Sequence, residues 1–272
     1  MASNSITILH DSFGAVDGLA RNWGFAALIE FEGRRILFDT GNDAETFRAN
    51  VSAIGVDLTH LDAVVISHRH GDHTTGLAHV VALNARVPVW VPRETYGVFG
   101  SSLPGTFYPR CPTLPASMRY FDGFPPELIR HGTPWPDAAF RHVDSSCEIW
   151  PGVSVVHTVS DVPGTREMPE LTLSLRSSRG QVIVAGCSHP GIEKILAAAG
   201  APATPVLELF GGLHLVLTPP EQIERLAGDL RSKWGVKRLS PGHCTGEPGF
   251  DALRRVFGAD YGYAGLGSRL TL

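Results

Sequence analysis

Three histidines and one aspartate occupy six consecutive positions in the stretch Ser67-His68-Arg69-His70-Gly71-Asp72-His73. The stretch directly follows the apolar run at 63–66, which is typical of a short buried strand. Side chains alternate along a strand, so His68 and His70 can point to the same side as the chain leaves it, and the turn at Gly71 can bring Asp72 and His73 beside them. Neutral imidazoles and carboxylates are the ligands that zinc and similar divalent ions prefer. The stretch therefore predicts a metal site.

Further histidines follow three other predicted strands. His189, His214 and His243 each come a few residues after an apolar run, in loops that also contain glycine or proline. In open α/β layers, ligand sites lie beyond the carboxyl ends of the strands. We therefore expect the four histidine-bearing loops to converge on one cleft.

Composition excludes several classes of protein. The 272 residues are 43% hydrophobic, with a formal charge of -4 and no run of Lys or Arg, so a phosphate-neutralising surface for nucleic acid is not expected. The four cysteines show no C-x-x-C spacing, which favours a reducing compartment with unpaired thiols, or one thiolate recruited to metal. No signal-like segment opens the sequence, and no apolar stretch approaches the ~18 residues of a membrane span. A soluble cytoplasmic protein without a membrane partner is expected.

The order of predicted elements indicates a layered α/β fold. Glu32-Gly33 between two apolar strands is a hairpin signal, and a helix is expected over 43–54. Strands and helices then alternate, and the second half repeats a strand–loop–helix unit. Predicted strands of that half cover 153–157, 171–175, 181–185, 205–210 and 236–240, with helices after 190, over 219–234 and over 250–257.

The segment 92–151 breaks this alternation. It is rich in Pro and Gly, interleaves aromatic residues, and carries five arginines that would suit an anionic substrate: Arg93, Arg110, Arg119, Arg130 and Arg141. A loop of this length is often a lid or a binding element. Two interpretations stay open, a lid over the metal centre that forms one wall of the substrate site, and a structural insertion packed by its own aromatic residues.

The motifs together resemble a known superfamily. His68-x-His70-x-Asp72-His73 after a hydrophobic strand resembles the signature of the metallo-β-lactamase superfamily, and Leu37-Phe38-Asp39-Thr40-Gly41 and Pro241-Gly242-His243 resemble its first and last motifs. With Gly186-Cys187-Ser188-His189-Pro190 and Gly211-Gly212-Leu213-His214, they resemble the branch of dihydropterin-ribofuranosylaminobenzene phosphate synthase-like metal-dependent hydrolases. The resemblance spans nearly the whole chain except 92–151. It implies one metallo-hydrolase domain over 1–272, folded as an αββα sandwich.

The resemblance also implies a set of metal ligands. His68 and His70 would bind a first ion, and Asp72, His73 and His243 a second. The family's usual further histidine has no matching motif near His157. We therefore place that ligand at His189, with His157 as second choice.

Three other residues have more than one interpretation each. Cys187 stands where many members have a bridging aspartate, and is either a thiolate ligand or a small buried hydrophobic residue. Asp39 either orients the metal loop or caps the helix that begins near Asp43. His214 could donate a proton, contact an anionic substrate group or cap the neighbouring helix.

These features predict a hydrolase with two divalent ions, chiefly zinc, with manganese or iron as alternatives. Such ions activate a hydroxide held between them, and Asp72 would orient it while His214 or a second water protonates the leaving group. The substrate would be a small ester, lactone or phosphoester, and the arginines of 92–151 would suit an anionic one. The alternatives are an iron-centred oxidoreductase on the same scaffold and a metal-binding member without enzymatic activity. His70 argues against the former, because di-iron members usually carry a carboxylate there.

Overall fold

The computed structural model describes residues 4–93, 101–131 and 138–272. The chain divides into two compact units. The first comprises Met1–Phe107, Ala116–Val143 and Gly265–Leu272, and the second comprises Tyr108–Pro115 and Asp144–Ala264. Within the described residues, no helix is both long and apolar enough to cross a membrane.

A seven-stranded mixed sheet organises the first unit, in the order β15-β1-β2-β3-β4-β5-β8. Strands β3, β4, β5 and β8 run parallel, whereas β15, β1 and β2 pair antiparallel with their neighbours. The strands of this sheet are β1 (Ser5–His10), β2 (Ala26–Phe31), β3 (Arg34–Phe38), β4 (Ala63–Val65), β5 (Pro88–Pro92), β8 (Ala139–Val143) and β15 (Arg269–Thr271). A separate hairpin pairs β6 (Ser101–Pro104) with β7 (Leu128–His131).

Local signals explain how this unit forms. Glu32 and Gly33 close the β2–β3 hairpin with φ angles of 48° and 78°, the left-handed conformation that a tight hairpin turn requires. The side chain of Asp43 accepts a hydrogen bond from the Thr46 N–H and so caps α1 (Ala44–Ile54). Helices α2 (Gly71–Thr74) and α3 (Leu77–Leu83) follow β4. Apolar side chains of α1 and α3, among them Phe47 and Val80, pack into one core with those of the sheet.

The second unit contains a six-stranded sheet in the order β14-β13-β12-β11-β10-β9. Its strands are β9 (Cys147–Trp150), β10 (Val153–Val159), β11 (Pro169–Ser177), β12 (Gly180–Ala185), β13 (Val206–Gly212) and β14 (Arg238–Gly242). Helices α4 (Ile192–Ala198), α5 (Pro220–Ser232) and α6 (Glu247–Phe257) share a core with this sheet. Because β12, β13 and β14 are parallel, their carboxyl ends meet at the same edge, and His189, His214 and His243 follow these ends.

The predicted insertion at 92–151 contains regular structure at its end. Strand β8 pairs with β5 in the first sheet, and β9 pairs with β10 in the second, so the sheets resume before residue 151. Short 3-10 helices at Ala116–Met118 and Tyr120–Gly123 lie in between. Residues 94–100 and 132–137 of the predicted lid, with their aromatic side chains, lie outside the described residues.

Candidate metal-binding residues

The histidine-rich loop of the first unit gathers its side chains into one cluster, in which His68, Asp72 and His73 are buried and His70 is half-buried. The Nε2 atom of His68 lies 3.1 Å from Nδ1 of His70, and the rings of His68 and His73 have centroids 4.2 Å apart. Nε2 of His73 lies 3.7 Å from a carboxylate oxygen of Asp72. The loop therefore brings together all four side chains that the sequence nominated.

Asp39, at the end of β3, orients this loop. One of its carboxylate oxygens accepts the Ser67 N–H at 2.7 Å, and the other accepts both the Ser67 hydroxyl and Nδ1–H of His73, each at 2.7 Å. With its hydroxyl hydrogen directed at Asp39, Ser67 Oγ accepts Nδ1–H of His68 at 2.8 Å. Burial raises the pKa of Asp39 despite these hydrogen bonds. Both imidazoles thus turn Nε2 toward the cluster, and the cap of α1 is Asp43 rather than Asp39.

In the second unit, a buried carboxylate on β11 holds the loop after β12. Glu170 accepts the N–H groups of Cys187, Ser188 and His189 at 3.2, 2.6 and 2.9 Å, and Nδ1–H of His189 at 3.0 Å. Burial acts to raise the pKa of Glu170, but the His189 and backbone hydrogen bonds prevail and set it at about 2. Burial lowers the pKa of His189. An ionised Glu170 beside a neutral His189 fixes the proton on Nδ1 and assigns any ligand role to Nε2.

Two thiols and two further histidines lie near His189. The Cys187 sulfur is within 4.8 Å of a ring nitrogen of His189 and of one of His243. It lies 3.3 Å from the Cys244 sulfur, and a ring nitrogen of His214 is within 4.8 Å of both sulfurs. Burial acts to raise the pKa of the Cys244 thiol, but hydrogen bonds with Cys187 and His214 and the charge of His243 bring it well below its usual value.

Strained backbone marks the strand ends that carry these groups. Asp39, Ser188, His214 and His243 have φ angles of 59°, 64°, 50° and 45°, in the left-handed region that residues other than glycine rarely adopt. Such strain persists only where surrounding contacts hold it, and it concentrates at functional sites. Two hydrogen bonds are contacts of that kind. Asp39 accepts the Ser67 N–H, and Glu170 accepts the Ser188 N–H.

Sequence reasoning missed three members of these clusters. Glu170 lies in an apolar strand 19 residues before His189, where no local pattern distinguishes it from an ordinary strand residue. Ser67 and Cys244 each adjoin a nominated histidine but were not nominated themselves. The second-choice ligand His157 lies within β10, with its backbone N–H bonded to the Ser146 hydroxyl.

The donor sets fit divalent metal ions. Metal-binding histidines usually donate their other ring N–H to a carboxylate or a similar acceptor, which fixes the tautomer and the ring direction. The Nδ1–H groups of His73 and His189 are directed at Asp39 and Glu170 in this way. Close imidazole and carboxylate groups of this kind suit zinc and related ions.

Comparisons with known proteins identify the family of the chain. The model of the "Beta-lactamase superfamily domain" matches residues 34–176, just over half of the chain. A Methanocaldococcus jannaschii protein, 7,8-dihydropterin-6-methyl-4-(beta-D-ribofuranosyl)-aminobenzene-5'-phosphate synthase, is 25% identical over 94% of this chain and 92% of its own length.

Solved structures show the same fold. Tm1679, a metal-dependent hydrolase of the beta-lactamase superfamily, aligns with a TM-score of 0.73 and 24% identity over 99% of both chains. A diphosphatase from the PhnP family aligns with a TM-score of 0.54 and 16% identity over 99% of this chain and 97% of its own. The predicted α/β fold of the metallo-β-lactamase type is therefore confirmed. The chain belongs to the beta-lactamase superfamily.

Proposed function

We propose that this protein is a metal-dependent hydrolase that uses two divalent ions, chiefly zinc, on a small anionic ester, lactone or phosphoester. The proposed ligands are His68, His70, Asp72 and His73 in the first unit and His189 and His243 in the second. Cys187 is a further candidate.

One observation carries this proposal. In each unit, a buried carboxylate that lies outside the proposed ligand set holds the Nδ1–H of a proposed ligand histidine, Asp39 for His73 and Glu170 for His189. A protein that used these histidines only for packing would have little reason to bury an acidic group behind each ring, because an ionised carboxylate is expensive to bury. Holding two rings in the tautomer that metal binding needs provides such a reason.

The chain's own residues would then divide the work. Divalent ions bound here would lower the pKa of a water molecule and polarise the carbonyl or phosphoryl oxygen of the substrate. Asp72, which is almost fully buried and lies beside His73, would orient the attacking water through its carboxylate. Asp39 and Glu170 would keep His73 and His189 aligned.

A phosphate-bearing substrate has independent support. The curated relative is named for a product that carries a 5'-phosphate on a ribofuranosyl group. Either Arg110 or Arg119 of the 92–151 segment would pair with such a group, since a guanidinium fork matches phosphate geometry. The relative's name also supports a second candidate, a synthase that joins two substrates at the metal centre instead of hydrolysing one.

Metal analysis with matched variants tests the ligand set. His189→Ala should lower the bound metal, whereas His157→Ala, a half-buried histidine of the same unit, should leave it unchanged. Equal metal content in both folded variants would remove His189 from the ligand set. A metal content lowered only by His157→Ala would establish the second choice.

A substrate panel distinguishes the two activities. At least one compound from a panel of phosphomonoesters, phosphodiesters, lactones and thioesters should be hydrolysed, and only by the metal-loaded protein, with one water consumed and one ester or thioester bond cleaved per turnover. Condensation of two panel compounds without hydrolysis would favour the synthase. Inactivity of the fully metal-loaded protein on all these classes would contradict the hydrolase proposal.

A further inference from the structure

Two buried thiols of the second unit lie close together although strand β13 separates the strands that precede them. Cys187 follows β12 and Cys244 follows β14, with β13 between these two strands in the sheet. Their sulfur atoms nevertheless lie only 3.3 Å apart, and both side chains are buried. The two loops therefore cross the end of β13 to reach each other.

Glycine at the end of β13 makes this meeting possible. A Cβ on Gly212 would lie 2.9 Å from the Cys244 sulfur and 2.3 Å from the carbonyl oxygen of Gly186. A Cβ on Gly211 would lie 2.0 Å from the carbonyl oxygen of Ala185. Any residue larger than glycine at these positions would push apart the loops that carry the thiols. The two glycines therefore allow the thiols to approach each other.

A third donor comes from the strand in the middle. His214 follows β13, and a ring nitrogen of His214 lies within 4.8 Å of both sulfur atoms. Its φ of 50° is a strained conformation for a non-glycine residue. Three adjacent parallel strands thus each supply one donor, two sulfurs and one nitrogen, to one place.

We propose that Cys187, Cys244 and His214 form a site for a thiophilic divalent ion such as zinc or cadmium. Tetrahedral bonds of ~2.3 Å to sulfur and ~2.1 Å to nitrogen would separate the two sulfurs by about 3.8 Å and each sulfur from the nitrogen by about 3.6 Å. The thiols need to open by about 0.5 Å from their 3.3 Å separation to meet this geometry. A disulfide would require them to close to ~2.05 Å, a larger movement.

The site is separable from the proposed hydrolase. Cys187 is also a candidate ligand of the hydrolase and His214 a candidate proton donor, but Cys244 has neither role. Whether the two thiolates bind a thiophilic ion can therefore be tested independently of what the chain hydrolyses. The site also requires the reduced thiols of a compartment such as the cytoplasm.

Cadmium titration of the metal-free, reduced protein tests the proposal through the ultraviolet sulfur-to-cadmium charge-transfer band. We expect a band in the parental protein. Its intensity should fall by about half in Cys187→Ser and in Cys244→Ser, since each sulfur supplies one bond to the ion. The band should be absent from the double variant. Cys111→Ser and Cys147→Ser, which change thiols that are partly or largely exposed, should keep the parental band.

A second measurement leaves the sequence unchanged. Cadmium should protect Cys187 and Cys244 from a maleimide, while Cys111 and Cys147 are labelled at the same rate with and without the ion. A parental band retained in Cys244→Ser would mean that Cys187 binds alone and would overturn the proposal. Absence of both band and protection in the folded, reduced parental protein would overturn it as well, even if hydrolysis were intact.

Discussion

Replacement of Glu170 by glutamine should weaken metal binding through His189 while the protein still folds. Glu170 accepts four hydrogen bonds, from the N–H groups of Cys187, Ser188 and His189 and from Nδ1–H of His189. A glutamine offers one acceptor oxygen and one NH₂ donor, so at least two of these donors lose their acceptor. Whichever way the amide turns, His189 is no longer held by a carboxylate in the tautomer that presents Nε2.

Two quantities should change in Glu170→Gln, the free energy of unfolding and the affinity for metal. An unsatisfied buried donor is worth roughly 1–3 kcal/mol, so the free energy of unfolding should fall by about 2–6 kcal/mol. Loss of a carboxylate behind a ligand histidine typically lowers metal affinity by about 10–100-fold. Chelator competition measures the affinity, and urea denaturation of the metal-free protein measures the stability.

Glu208→Gln is the matched control. Glu208 is also a buried glutamate of this sheet, its pKa is raised by burial, and it accepts a hydrogen bond from the Ser240 hydroxyl. Because Glu208 bonds to Ser240 and pairs with Arg238 rather than with a proposed ligand, this variant should keep the parental metal affinity. Equal metal affinity in folded Glu170→Gln and Glu208→Gln would refute the reasoning.

The pH dependence of stability gives a second readout of Glu170. The pKa of Glu170 is about 2 in the folded protein and 4.5 in its ordinary state, so the unfolded chain binds more protons between these values. The stabilisation by Glu170 is then complete above pH 4.5 and lost as the pH falls toward 2, about 3 kcal/mol in total. Glu170→Gln should lack this component of the acid-induced loss of stability, and an unchanged pH profile of the unfolding free energy would count against it.

Two further changes separate chemistry from packing. Asp72→Asn should remain folded, since the amide keeps the size and shape of the buried side chain, yet lower kcat by at least about a hundredfold; a near-parental rate with metal bound would exclude Asp72 from the mechanism. Phe124→Ala should leave the unfolding free energy within about 0.5 kcal/mol, because the ring is 86% exposed, but should lower kcat/KM if the segment 92–151 contacts substrate. Leu217→Ala, at 67% exposure, is its control, and equal kcat/KM in the two variants would contradict the lid.

The sequence predicted those parts of the fold that local patterns specify. The Glu32-Gly33 turn indicated the β2–β3 hairpin, and apolar periodicity over 43–54 indicated α1 (Ala44–Ile54). The sequence does not indicate strand β8, because the strand alternates little and has Arg141 and His142 both exposed at the edge of its sheet. Helix α6 begins at Glu247, three residues before the predicted start, because a proline such as Pro248 is tolerated in a first helical turn.

Some residues of the candidate site could be predicted from the sequence and others could not. Close spacing in sequence indicated the histidine loop, because its members are neighbours along the chain. Glu170 could not be predicted, because it meets His189 only through the pairing of β11 with β12. The approach of Cys244 to Cys187 likewise depends on the order of strands β12, β13 and β14 in the sheet and on the absence of a side chain at Gly212.

Metal content per chain tests the central claim most directly. Protein purified without chelators and analysed by elemental mass spectrometry should contain two divalent ions per chain, chiefly zinc, held by the proposed histidine and aspartate ligands. The ions are counted in the double variant with Cys187→Ser and Cys244→Ser, in which the thiol site has lost both of its sulfurs. A folded protein that holds one ion or none at saturating zinc would contradict the account.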